Sequence, residues 1–468
     1  MSTVHRHHIA VIGTGYVGLT AGACLASLGH RVVCADMDPD KVERLTRGEI
    51  PILEESLPEL VREGLDSGLL TFVLGAEKAI CDAETVFVCV GTPMSPDGDL
   101  DMTAVDAVAD EIRDLLPHGC ALVTKSTVPV GTAARLTRRL DRPDVAVVSN
   151  PEFLREGTSV HDFLHPDRVV VGADDREAAE RVAALYATLD APMVITDAAS
   201  AELIKYAANC FLAVKLSYVN VIAELCERVG ADVGQVATAM GKDHRIGGAF
   251  LRPGPGWGGS CLPKDTRAML RTAETADVDF QLLRAAIDVN IHQRERIADK
   301  IARLCGTDSA TPLDGVRIGV LGLTFKAGTD DMRDSPAVAL AGALARLGAE
   351  LVAYDPVLTV GGTPAAPVPD VTVVDDPYEA GKGAACLVLC TEWPEFRDLD
   401  WNLMAKALDR PLVVDTRNHL DPEALRAAGI AWHGVGVRPV TGLAGDPVTG
   451  TADSPVTEQR PAAVPQPG

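Results

Sequence analysis

Apolar and polar positions follow two rhythms along this chain. Short apolar runs of strand length recur through its first part: HIAVIG (8–13), RVVCAD (31–36), ETVFVCVGTP (84–93), CALVTKSTVPVG (120–131), DVAVVSNPEF (144–153) and RVVVGA (168–173). LTAGACLASLGH (19–30) lies between the first two and reads as a helix. Strands and helices in this alternation predict an α/β unit with a parallel sheet. From Ser200 to Gly230 the rhythm changes. Apolar side chains fall at 204, 207/208, 211, 214, 218, 221/222 and 225, a helical period held for about six turns. So long a helix is predicted to be a spine joining two domains, with a dimer surface along it as a further expectation. A second α/β unit begins near Gly315 with VRIGVLGLTFKAGTDD (316–331), AELVAYDP (349–356), CLVLCTEW (386–393) and RPLVVDTRN (410–418). From about Thr441 the chain turns rich in Gly, Pro, Thr and Ala and predicts a disordered tail. No repeat of 20–50 residues is found.

Composition narrows the reading. A chain of 468 residues is too long for one ordinary core, so two or three domains are expected. With 43 Lys and Arg against 66 Asp and Glu, the net charge is −23. Nucleic acid and anionic membrane surfaces would be repelled and are not expected as partners. An anionic ligand would need a local cationic pocket against the protein's own field. No apolar run is expected to span a membrane, and MSTVHRHHIAVIG passes directly into a strand, so a cytoplasmic location is expected. Eleven cysteines stand without CxxC pairs. Cys34, Cys89, Cys120, Cys386 and Cys390 sit in apolar runs and read as core residues, and disulfides are not expected. His5, His7 and His8 read as a frayed terminus rather than a metal site.

The first strand runs into Gly13-x-Gly15-x-x-Gly18, a helix, and a second strand ending at Asp36. Gly13 permits the tight turn, Gly15 lets backbone approach a pyrophosphate, and Gly18 lets helix and strand pack closely. The helix N-terminus then faces the phosphates. Asp36 is placed to accept from a ribose 2′-hydroxyl. Met37 and Asp38 follow it, not Arg, which favours NAD over NADP. The second unit lacks a full fingerprint, so no second dinucleotide is assigned there.

Other candidates stand by position. Thr92, Thr127 and Glu152 follow strands, at the sheet edge where ligands bind, although Thr and Pro also simply end strands. Lys205 and Asn209 are i and i+4 on the long helix and could jointly donate to an oxyanion. Such a pair also occurs at surfaces, with the lysine snorkelling. Lys326 and Arg417 lie beyond strand ends and could bind an anion. PGPGWGGSCLPKDT (253–266) places Cys261 on a tightly turned backbone, with Lys264 and Asp265 close behind. Lys264 is expected to help lower the thiol's pKa. No Cys or His stands at metal-ligand spacing, and a buried structural cysteine is the alternative. A thiol beside NAD has a chemical logic. Oxidation from alcohol to carboxylate needs a covalent hemiacetal, because a bare carbonyl has no second hydride to give.

GWGGSCLPKD (256–265), NPEFLREG (150–157), KYAAN (205–209), KSTVPVG (125–131) and LGLTFKAGTDDMRDSP (321–336) together resemble the nucleotide-sugar 6-dehydrogenases. The resemblance covers roughly residues 7–440. It implies an α/β fold of two Rossmann-like parallel-sheet domains joined by a central helical domain with a long spine helix. The limits expected are 1–199, 200–305 and 306–440, with the tail at 441–468.

The resemblance also implies roles. Cys261 is the nucleophile, Lys205 and Asn209 stabilise oxyanions at C6 of the sugar, and Asp265 helps position Lys205 and a water. Glu152 and Thr127 handle water and protons, Glu152 in thioester hydrolysis. Gly13, Gly15, Tyr16, Val17, Gly18, Asp36, Lys41, Thr92, Thr127, Glu156, Lys264 and Arg333 fall on the NAD side. Glu152, Phe153, Leu154, Lys205, Asn209, Arg245, Phe250, Gly258, Lys326 and Arg417 fall on the nucleotide-sugar side, Arg245 crossing to a partner subunit. UDP-glucose is the favoured substrate, GDP-mannose or another nucleotide sugar the alternative, and a homodimer or higher homo-oligomer is expected. Trp257 departs from the commoner Phe or Tyr, and the tail has no counterpart. An NAD-binding scaffold without catalysis, or a two-electron epimerase, would have no use for Cys261.

Overall fold

The computed structural model describes residues 6–95, 98–306, 309–360, 363–364 and 368–439. The tail expected from residue 441 lies outside the described residues.

The first sheet is built from β1 (His8–Ile12), β2 (Arg31–Asp36), β3 (Leu70–Leu74), β4 (Thr85–Val88), β5 (Ala121–Thr124), β6 (Ala146–Ser149), β7 (Val169–Gly172) and β8 (Met193–Thr196). Their order is β3-β2-β1-β4-β5-β6-β7-β8. β1 to β6 are parallel. β7 meets β6 antiparallel through the single pair Ser149–Gly172 and runs parallel to β8, so the sheet ends in a reversed two-strand edge. β4, β5 and β7 are buried along their whole length, which is why they read as unbroken apolar runs. Apolar cores lie on both faces of the sheet, as βαβ crossovers require.

The spine helix, Ala198–Val229, is capped by Asp197 and ends at Gly230, whose φ is 75°. By length and composition it could cross a membrane. However, it buries Glu202, Lys205 and Asn209 and packs against the helices Leu262–Thr275 and Gln281–Cys305, so it is an interior helix of this fold.

The second sheet contains β9 (Arg317–Leu321), β10 (Glu350–Tyr354), β13 (Val371–Val374), β14 (Cys386–Leu389), β15 (Leu412–Asp415) and β16 (Ala431–His433). A small hairpin of β11 (Thr359–Val360) and β12 (Thr363–Pro364) stands apart from it. The sheet order, β13-β10-β9-β14-β15-β16, repeats the order of the first six strands of the first sheet, and all its strands are parallel. One core face includes Val219 and Ala223 of the spine and Ile297 and Ile301 of the helix behind it. The second sheet is therefore fastened to the central helices by shared apolar packing.

All eleven cysteines are free, and the five expected in the core are buried there. The N-terminal histidines are not frayed where they are described: His8 opens β1, and His7 Nδ1 lies 2.7 Å from Glu84 Oε2. No metal-holding cluster is found among the described residues.

Candidate active site

The glycine turn forms as its sequence predicts. Gly13 takes a φ of 95° directly after β1. A Cβ on Gly18 would collide with the Gly13 carbonyl, so helix and strand pack too closely for any side chain there. Gly15 caps the helix Tyr16–Ser27 with no side-chain bond, which leaves the first helical amides free for an anion. Asp36 accepts from Thr14 N (2.9 Å), Thr14 Oγ1 (2.5 Å) and Lys41 Nζ (3.0 Å). Burial alone would raise this carboxyl, but these bonds and the Asp38 amide outweigh it and bring it down to about 2. A bare helix N-terminus, a cradle without side chains and an ionised acceptor fit a dinucleotide with a free ribose diol. Val17 lies half-buried in the same turn. Thr92 Oγ1 donates to the Thr127 carbonyl at 2.8 Å, joining the loops after β4 and β5 on this side.

A cavity of about 660 Å³ opens where the first domain's segment after β6, the central helices and the loops of the second sheet meet. Its wall carries Lys205, Asn209 and Cys261 of the expected catalytic set, and Phe153, Leu154, Phe250, Gly258, Lys326 and Arg417 of the expected substrate set. The lysine and the amide are buried, not at a surface, because the spine turns this face inward. Cys261 stands at the N-cap of the helix Leu262–Thr275, and its Sγ lies 3.6 Å from Ser260 Oγ. A Cβ on Gly258 would strike the Asp334 carbonyl, so the turn presses against the second domain's loop.

Glu152 and Asp265 sit just behind that wall. Lys205 Nζ donates to Glu152 Oε1 at 2.8 Å, and Leu154 N donates to Glu152 Oε2 at 2.6 Å. Burial would raise Glu152, but Lys205 prevails and holds its carboxyl below the usual range. Burial would lower Lys205, but Glu152, Cys261 and Asp265 raise it. Asp265 is fully buried and accepts from Asn209 Nδ2 (2.6 Å) and Lys264 Nζ (2.7 Å).

The direct pairings refine two expectations. Lys264 is paired to Asp265, and the cation that acts on the thiol is Lys205. Even so, burial pushes the Cys261 thiol up, and Lys205 only partly offsets it. Asp265, for its part, holds Asn209 and Lys264, while the direct partner of Lys205 is Glu152.

Not every expected residue reaches the cavity. Arg245 lies on an exposed loop, bound to Asp243 at 2.6 Å, and is absent from the cavity wall. Lys215 of the spine holds that loop through the Ile246 carbonyl at 3.0 Å. Thr127 is likewise off the wall. Arg333 sits at the cleft between the first domain and the second, 3.3 Å from Glu156, whose other oxygen neighbours include Ser260 Oγ at 2.6 Å.

Several residues went unread in the sequence. Arg168 stacks on the Phe153 ring at 3.6 Å and lines the cavity, as does Arg252. A cation at the start of RVVVGA and another in LRPGPG were the available signals. Glu54 is buried and accepts from Gly157 N (2.7 Å), Ser159 N (2.6 Å) and the Tyr16 hydroxyl. Tyr16 is thus anchored to the loop after β6. Lys125 of KSTVPVG is fully enclosed and is taken up below. No periodicity distinguishes a single buried polar residue from its neighbours.

Comparison with known proteins accords with this geometry. Residues 7–190 match the NAD binding domain of the UDP-glucose/GDP-mannose dehydrogenase family, residues 199–292 its central domain and residues 319–422 its UDP binding domain. UDP-glucose 6-dehydrogenase of Rhizobium meliloti is 44% identical over 438 residues, 92% of this chain and 99% of that protein. The enzyme of the same name from Pseudomonas aeruginosa is 42% identical over 451 residues, covering 93% and 98%. Among solved structures, a UDP-glucose dehydrogenase from Pyrobaculum islandicum superposes with a TM-score of 0.82 at 37% identity, covering 94% of this chain and 99% of that one. The glycine cradle, the cysteine cavity and three successive domain matches converge: this chain belongs to the UDP-glucose/GDP-mannose dehydrogenase family of NAD-dependent oxidoreductases.

Proposed function

We propose that the protein oxidises UDP-glucose to UDP-glucuronate, removing four electrons at C6. The observation that carries this is the convergence of Cys261, Lys205 and Asn209 on one cavity wall with Lys326 and Arg417. The names of the relatives favour UDP-glucose over GDP-mannose. NAD⁺, bound at the glycine cradle, supplies the hydride acceptor for both two-electron oxidations.

The residues divide the remaining work. Lys205 Nζ and Asn209 Nδ2 donate to the oxyanion that develops at C6. Cys261 Sγ bonds to C6 of the aldehyde as the carbonyl π pair moves to oxygen, which takes up the thiol's proton, forming a thiohemiacetal whose C6 still carries a hydrogen to give as hydride. After the second oxidation the carbon is a thioester. The Glu152 carboxylate takes a proton from water, the water oxygen bonds to C6, and the C6–Sγ bond breaks. Lys205, freed from Glu152, faces the departing sulfur. Lys326 and Arg417 hold the diphosphate-linked nucleotide, a local positive site inside an acidic protein.

Domain limits of 1–199, 200–305 and 306–440 belong to the same proposal, as does a homodimer. The outward side of the spine helix carries exposed Leu203, Phe211, Tyr218, Val221, Leu225 and Val229. These include four of the apolar positions whose period announced the helix. An apolar stripe of this length is suited to a second copy of itself, and it would bring the Arg245 loop toward a partner's site. A Phe211→Glu, Tyr218→Glu pair is expected to give monomers in analytical ultracentrifugation, and an unchanged dimer would remove that part.

The activity is tested with a panel of UDP-glucose, GDP-mannose and UDP-N-acetylhexosamines. NADH formation with UDP-glucose at the highest kcat/KM supports the assignment. Preference for another sugar would redirect it, and no NADH with any would leave only a cofactor-binding scaffold.

A further inference from the structure

Lys125 is a cation enclosed in the first domain, and the chemistry above gives it no part. It follows β5 and is 4% exposed. Its Nζ donates to Asn150 Oδ1 at 3.1 Å and to Tyr186 Oη at 3.5 Å. The rings of Phe87, Phe163 and Tyr186 surround it at 5.6–6.0 Å. No carboxylate forms an ion pair with it among the described residues. Burying an ammonium without a counter-ion is costly, and aromatic faces repay only part of that. Such a group calls for a reason beyond packing.

Its one strong acceptor supplies that reason. Asn150 is fixed at both ends: Oδ1 also accepts from Tyr186 Oη at 2.6 Å, and Nδ2 donates to the Val170 carbonyl at 2.7 Å. Only Pro151 separates this fixed residue from Glu152. Glu152 is bonded to Lys205 at 2.8 Å, and Lys125, fixed through Asn150 two residues away, is a second cation near its carboxylate. Both cations act to keep its carboxyl low, Lys205 more strongly. Cys89 and Cys261 are the other titratable groups near it. Around Lys125 stand Cys89, Glu152, Lys205, Cys24 and Tyr186, and burial brings its own ammonium down to about 8.

We propose that Lys125 is a positioning residue for Glu152, a second cation that holds this carboxylate in place and ionised while Lys205 turns to the sugar and sulfur. The inference rests on the reading of Glu152 as the base of thioester hydrolysis. Without this second cation, Glu152 would take up a proton whenever Lys205 left it, and the acyl-enzyme would persist.

The test compares Lys125→Met and Lys125→Gln, each alone and combined with Glu152→Gln, using UDP-glucose and NAD⁺. The single Lys125 variants should lose about tenfold or more in kcat with both KM values within about threefold. The acid limb of kcat should move up by about one pH unit, because a carboxylate that loses a nearby cation titrates higher. Mass spectrometry of quenched enzyme should find an acyl group accumulating on Cys261. In the Glu152→Gln background, neither substitution should lower the rate further. Lys125→Met should melt no lower than the wild type, which a purely structural role would not allow. Lys125→Gln keeps a donor for Asn150 and isolates the charge, and it serves if the Met variant fails to fold. An unshifted acid limb in Lys125→Gln, or equal losses in both backgrounds, overturns the inference. A Glu152→Gln enzyme with wild-type turnover would instead overturn the role of Glu152, and a wild type producing no NADH would overturn the functional reading itself.

Discussion

The two sheets begin identically and then part. In each, a glycine of positive φ follows the first strand: Gly13 at 95° and Gly322 at 88°. Each donates from its amide to the strand alongside, to the Ala35 and Tyr354 carbonyls, both at 2.8 Å. Each sheet then sets a carboxylate under the turn, Asp36 in the first and Asp355 in the second. Beyond that point the loops differ. The first reaches its helix at Tyr16 with a bare N-terminus. The second runs on to Pro336, where Ser335 caps the helix by accepting from the Ala337 and Val338 amides. The capped end has no free amides to offer a pyrophosphate. Asp355 is correspondingly sealed: it accepts from Leu323 N, Thr324 N and Thr324 Oγ1, with Trp393 Nε1 at 3.3 Å. The long loop instead carries Lys326 to the cavity. The same strand frame thus presents bare backbone in one half and side chains in the other, and the difference lies in one loop.

The largest effect is expected where the halves meet. Cys261→Ser should cut steady-state NADH production by at least about 10³-fold while leaving NAD⁺ binding, followed by fluorescence, intact. Near-normal turnover would mean that the sulfur does not link the two halves.

Next come two substitutions with opposite signatures. Lys326→Ala should raise the KM for the nucleotide sugar by about 10- to 100-fold and spare that for NAD⁺, the loss of one charge-assisted bond. Gly15→Ala should do the reverse, by about tenfold or more, with no loss of melting temperature. Its φ of −68° suits any residue and nothing stands within 4 Å of an added Cβ, so only a ligand needs the glycine. Exchanged signatures would break the comparison.

Asp355→Ala should cost about 2–3 kcal/mol of stability in urea, because it strands buried donors. Asp36→Ala should chiefly weaken NAD⁺. The smallest effect is in acid. The folded value of Asp36, about 2, lies below its ordinary value, so ionisation favours the fold. This contribution, about 2 kcal/mol, is present above about pH 4 and is lost as the pH falls toward 2. Asp36→Asn should flatten the stability curve only in that window.

What was legible in the sequence followed burial. The strands read from apolar runs are all interior strands. The four missed in the two sheets, β3, β8, β13 and β16, are the four edges, where half-exposed positions dilute the run. The spine helix was legible for an inverted reason: its period came from a face left largely open in one chain, while its buried side carries Glu202, Lys205, Asn209, Ser217 and Asn220. The glycine turn was readable because its spacing is itself the geometry. The ion pairs were not. Lys205 reaches Glu152 across 53 residues of chain, and although Lys264 and Asp265 are sequence neighbours, adjacency alone does not say which partner the lysine takes. Lys125 and Glu54 left no mark, since a charged residue beside polar neighbours, Thr124 and Ser126 for one and Glu55 and Ser56 for the other, has the same pattern at a surface as in a core.

The most direct measurement is the stoichiometry of the complete reaction, with limiting UDP-glucose and excess NAD⁺. Two NADH formed for each UDP-glucuronate is the predicted result. One NADH per sugar, with a free aldehyde as product, would contradict a sulfur-held intermediate.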